Sequence, residues 1–127
     1  MMGKNITYEN EINKMCRALF GKLWGGVFAR DKMEKALSIP PNERLYYIFN
    51  LDTRAQGGSH WCACAVISGQ VHIYDSFART IDVGVNDARH SDLKDREQYV
   101  KEKNCGQRCI AWLLVCEQYG IKTAMKI

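Results

Sequence analysis

The residue with the clearest chemistry is Cys105. It follows Asn104 and opens the run Cys-Gly-Gln-Arg-Cys-Ile-Ala-Trp-Leu-Leu-Val-Cys-Glu-Gln-Tyr. Cys105, Cys109, Trp112, Leu113 and Cys116 fall on one face of a helix, and Gly120 is its stop. Asn104 is a good N-cap for that helix. In the first turn, free backbone N–H groups and the helix dipole favour negative charge. A thiol placed there has a lowered pKa and is available as a thiolate near neutral pH. Gly106 keeps the approach to the sulfur open. The helix alone leaves two readings level: Cys105 is a nucleophile, or it is the first member of a buried stripe. Cys109 and Cys116 read as core residues, because a free cysteine packs as a small hydrophobe.

A nucleophilic thiol needs a base. His60 to Ile67 reads as a strand, Ser68-Gly69 as a two-residue turn, and Gln70 to Phe77 as the returning strand. Ile67 then pairs with Gln70, Cys62 faces Asp75 and His60 faces Phe77. In that register His60 and Asp75 are diagonal neighbours on one face. A carboxylate so placed orients an imidazole and stabilises the imidazolium. His72 alternates to the opposite face from Asp75, and His90 lies in a polar, solvated stretch. His60, Cys62 and Cys64 also share a strand face. Alternation sets them about 7 Å apart in line, which suits a tetrahedral metal site poorly. No C-x-x-C pair is present, so Cys62 and Cys64 are read as core and no metal is assigned.

The elements around these residues follow from pattern. Glu9 to Leu23 places Ile12, Met15, Cys16, Leu19 and Leu23 at helical spacing, and Gly25-Gly26 breaks that helix. Residues 28–33 lead into a short helix closed by Pro40-Pro41. Leu45 to Leu51 is aromatic and β-branched, the composition of a buried strand. Thr53 to Ser59 is a loop, and Arg79 to Lys103 is polar with a weak strand at Gln98-Tyr99-Val100. Helices flanking a small, mostly antiparallel sheet make an α+β fold, with the nucleophile at the start of the last long helix.

The bulk numbers exclude several classes. A chain of 127 residues suits one domain, 1–127. Its net charge of +4 comes from scattered basic residues with acidic neighbours, a solvated surface rather than a nucleic-acid footprint. No apolar run reaches the ~20 residues of a membrane span. The polar N-terminus lacks the apolar core of a signal peptide. The protein is therefore expected inside the cell, not secreted. Its six cysteines are then read as thiols rather than as a disulfide framework.

These pieces in this order resemble the adenain-type and ubiquitin-like-protein-specific cysteine proteases, most closely the viral members. The resemblance is carried by Gly57-Gly58-Ser59-His60-Trp61, Tyr74-Asp75-Ser76-Phe77 and Asn104-Cys105-Gly106-Gln107-Arg108-Cys109. Ile48 to Asp52 and the Gly-Val-Phe of Gly26 to Phe28 are similar to segments upstream in the same group. The resemblance implies an adenain-like fold and a His60, Asp75, Cys105 triad. It implies that Gln98, seven residues before Cys105, helps form the oxyanion hole. It implies that Gly58 and Trp61 lie at the substrate, with Trp61 shielding His60 or simply packing. No metal or cofactor is implied. The implied substrates are viral precursors or polyproteins cut after small residues, in a host cytoplasm, nucleus or virion. The alternative is a deubiquitinase or ubiquitin-like-protein isopeptidase; an acyltransferase and a non-catalytic binding module come third. Some relatives use a peptide or nucleic acid as activator, which the charge permits without indicating it.

Overall fold

The computed structural model describes residues 3–37, 44–50, 61–75, 83–84, 88–91 and 105–126. In chain order they form α1 (Gly3–Phe20), a 3-10 turn (Gly21–Leu23), β1 (Trp24–Ala29), α2 (Arg30–Leu37), β2 (Leu45–Asn50) and β3 (Trp61–Ile67). Next come β4 (Gln70–Tyr74), β5 (Arg89–His90), α3 (Cys105–Tyr119) and α4 (Ile121–Met125). The sequences of β2 and β3, Leu-Tyr-Tyr-Ile-Phe-Asn and Trp-Cys-Ala-Cys-Ala-Val-Ile, are apolar almost throughout. That is the pattern of strands covered on both faces, and both faces are covered.

One core cluster joins Tyr46, Ile48, Trp61, Ala63, Ala65 and Tyr74 to α1, α3 and α4. The other joins Tyr47, Phe49, Cys62, Cys64, Val66, Val71 and Ile73 to Met33 of α2 and to Val83. On β3 the residues toward α3 include two alanines, whose small side chains let a helix lie close to the sheet. Trp112 fills the space above, stacked on Tyr74 with ring centroids 5.5 Å apart. Its Nε1–H donates to the Ala124 carbonyl at 2.9 Å, which ties α4 back onto α3.

The strand order is β1-β2-β3-β4-β5. The β3–β4 hairpin has the expected register, Ile67 with Gln70 through Ala63 with Tyr74. Ser68 and Gly69 both have positive φ, 53° and 81°. This is the turn geometry whose twist matches the strands it joins. Gly120, at φ 92°, ends α3 as expected.

Other expectations are corrected. The mixed α+β class stands, but the sheet is not mostly antiparallel. Its central three strands are antiparallel, and both outer pairings, β1 with β2 and β4 with β5, are parallel. The α2 crossover brings β2 back in the direction of β1. Gly25-Gly26 does not simply break the first helix; it sits inside β1. The register shifts between Trp24 and Gly26, and a Cβ on Gly25 would overlap the Tyr47 ring. That bulge is how a Gly-Gly pair enters a sheet.

The first helix starts earlier than expected and buries Ile12, Cys16 and Phe20, whereas Met15 and Leu19 are exposed. Phe20 meets Tyr46 edge to face at 5.0 Å, which orients that stripe toward the sheet. His90 lies in β5, part-buried and engaged by a partner. The expected loop at 53–59 and strand at Gln98–Val100 lie outside the described residues.

Candidate active site

Three chain segments converge at one end of the sheet. β3 begins there at Trp61, and β4 ends there at Tyr74 with Asp75 next. α3 begins there too, because Cys109 Sγ–H donates to the Trp61 carbonyl at 3.2 Å. Cys109 is one helical turn from Cys105, and Trp61 follows His60 in the chain. The stack of Trp112 on Tyr74 continues the contact toward the end of β4. Through Cys109 and Trp112, α3 thus touches both the residue after His60 and the residue before Asp75.

Asp75 is 3% exposed and engaged by a partner. A buried carboxylate requires partners that compensate its charge. Extending the register by one residue sets it opposite Cys62. Cys105 opens α3 as expected. Its side chain lies outside the described residues, as do His60, Gln98 and Gly58. Gly106 is buried. Trp61 is buried within the cluster that includes Cys109 and Trp112 of α3.

The five described thiols share one kind of environment. Cys16, Cys62, Cys64, Cys109 and Cys116 are in no disulfide and are buried. Burial pushes the Cys16 and Cys116 thiols up to about 12, with nearby Arg44 opposing the rise at Cys116. Burial likewise raises Cys64. Such thiols keep their protons at neutral pH and are inert as nucleophiles. The expectation that Cys62, Cys64, Cys109 and Cys116 are core residues agrees with this.

His72 lies in register with Ala65 on β3 and Arg89 on β5. It is buried, and its Nδ1 has no hydrogen-bond partner. Burial first, then the Arg89 charge, lowers its pKa and holds the imidazole neutral.

At the far end of α3, Tyr46 O–H donates to Glu117 Oε1 at 2.7 Å, and Arg44 Nη1 approaches the same oxygen at 3.3 Å. The Cys109 to Trp61 link was not anticipated from sequence. Its signal was the four-residue spacing from Cys105, which a buried stripe shares. No group of three or more His, Cys, Asp or Glu among the described residues could hold a metal ion. No helix among them is long and apolar enough to cross a membrane. Neither protein-family models nor curated proteins give a match to this chain.

Proposed function

We propose that the protein is a cysteine endopeptidase of adenain-like type, with Cys105 as nucleophile, His60 as base and Asp75 as the group that orients the base. The observation that carries this reading is the bond from Cys109 to the Trp61 carbonyl. It joins the first turn beyond Cys105 to the residue after His60. The burial of Asp75 beside that junction supports it further.

His60 takes the Cys105 thiol proton, and the thiolate attacks a peptide carbonyl carbon. A carbon–sulfur bond forms, and the carbonyl oxygen becomes an oxyanion. The Gln98 amide and the Cys105 backbone N–H stabilise it. As the carbon–nitrogen bond breaks, His60 gives its proton to the leaving amine. Water then attacks the thioester, His60 accepts its proton, and the acid leaves as the thiol re-forms. The substrate class is a precursor or polyprotein segment with small residues before the scissile bond.

The test is alkylation by iodoacetamide at pH 7, resolved by peptide mass spectrometry. Preferential labelling of Cys105 over the other five thiols is expected; equal labelling of all six overturns the reading. A ubiquitin or ubiquitin-like warhead probe then separates substrates. Reaction at Cys105 assigns the protein to the isopeptidases, and no reaction leaves precursor processing.

A further inference from the structure

Cys109 is fully buried, yet its thiol is directed at a backbone carbonyl rather than simply packed. Cys116 lies two turns further along the same face and is equally buried. The two differ in what they can hold. α3 packs against Ala63 and Ala65 of β3 in a cluster that also holds Trp61, Ile48 and Tyr74, contacts that are apolar and non-directional. Apolar contact of this kind does not by itself fix the axial position of a helix to a fraction of an ångström. A hydrogen bond is directional and opposes axial displacement, even from a weak S–H donor.

We infer that Cys109 is a positioning residue whose thiol proton pins the first turn of α3 to the start of β3, and so fixes how Cys105 meets His60. This inference rests on the protease reading. Its consequence is large because a misplacement of about 1 Å in such a site costs on the order of a hundredfold in rate. The thiolate–imidazolium pair depends on the same separation.

The experiment is the pH profile of iodoacetamide alkylation at Cys105, from pH 5 to 9, in the full chain. The unaltered protein is compared with Cys109→Ala, Cys109→Ser and Cys116→Ala. Cys109→Ala is expected to move the Cys105 profile to higher pH. The alkylation rate at pH 7 then falls about tenfold if the profile moves by one pH unit. Cys109→Ser retains a donor and restores the profile. Cys116→Ala removes the same volume from the same core and lowers stability without moving the profile. Cys109→Val fills the volume but has no proton to donate, and it replaces the alanine variant if that fails to fold.

An unmoved profile in both Cys109→Ala and Cys109→Val overturns the inference and leaves the protease reading standing. A movement of equal size in Cys116→Ala overturns it as well. If Cys105 of the unaltered protein is no more reactive than the buried thiols, the protease reading fails and this inference fails with it.

Discussion

On the face of the sheet that carries α3, aromatic and alanine side chains are combined with directed hydrogen bonds. Trp112 donates to Ala124, Cys109 to Trp61, and Tyr46 to Glu117. On the face that carries α2, Met33, Tyr47, Phe49, Cys62, Cys64, Val66, Val71 and Ile73 form a core of aliphatic, aromatic and thiol groups. The first face holds a helix in one position; the second fills a volume. The difference matters because the helix held in position is the one that Cys105 opens. Apolar burial alone is non-directional and tolerates small displacements. The proposed meeting of Cys105 with His60 does not tolerate them.

The largest effect expected from breaking this arrangement is chemical. Cys105→Ala or His60→Ala lowers kcat/KM on a fluorogenic Gly-Gly peptide by at least about a thousandfold. Cys64→Ala, from the α2-side core, retains cleavage. Retained activity in Cys105→Ala would remove the nucleophile assignment.

Packing effects come next. Trp112→Ala lowers the unfolding free energy by about 3–5 kcal/mol, read from urea midpoints and slopes. Trp112→Phe sharpens the comparison. It keeps most of the ring but removes the indole donor to the Ala124 carbonyl, at about 0.5–1.5 kcal/mol. Met33→Leu on the other face is a volume-conserving change and costs less than about 1.5 kcal/mol. If the phenylalanine variant is no more costly than the leucine variant, the α3 face has no directional component.

Gly25→Ala forces a methyl group into the Tyr47 ring. The expected loss is about 1–3 kcal/mol, again by urea titration. It falls on the edge where β1 joins the sheet.

His72 supplies a pH dependence. Its folded-state pKa is lowered by burial and by Arg89. The unfolded chain therefore takes up the proton first as pH falls. Stability from this group is complete above the unfolded value of about 6.5. It declines below that pH until the folded value is reached, by at most about 1.4 kcal/mol per pH unit. Urea titrations at pH 7.5 and 5.5 should show a steeper loss in the unaltered protein than in His72→Gln. Equal losses would assign the acid sensitivity elsewhere. The smallest effect is at the hairpin. Gly69→Ala places a side chain at φ 81° and costs about 1 kcal/mol, although the space around it is open.

Much of the hairpin and of the last long helix was legible in sequence, and for local reasons. A two-residue turn sets the register of the strands it joins, so the pairing of Ile67 with Gln70 follows from Ser68-Gly69. The α3 stripe repeats at helical spacing and stops at Gly120. β1 was illegible because its Gly-Gly pair weakens any strand pattern, and its partner β2 lies beyond an intervening helix. β5 was illegible because two polar residues carry no alternation. Of the candidate site, the order of Asp75 and Cys105 relative to the strand end and the helix start could be read directly. The bond between Cys109 and Trp61 could not, because it spans 48 residues.

The sequence by itself determined the residue types at the site and the short-range geometry that a turn or a helical repeat dictates. It put an acid after one strand, a histidine before another and a cysteine at a helix start. Tertiary structure decided which faces are buried. It chose Ile12, Cys16 and Phe20 over Met15 and Leu19 for the core, and it made the five described thiols interior groups. It also decided that the start of α3 lies against the start of β3. That placement depends on the pairing of the sheet's strands, the small alanines beneath the helix and one directed bond. These are long-range agreements between segments that no local pattern encodes.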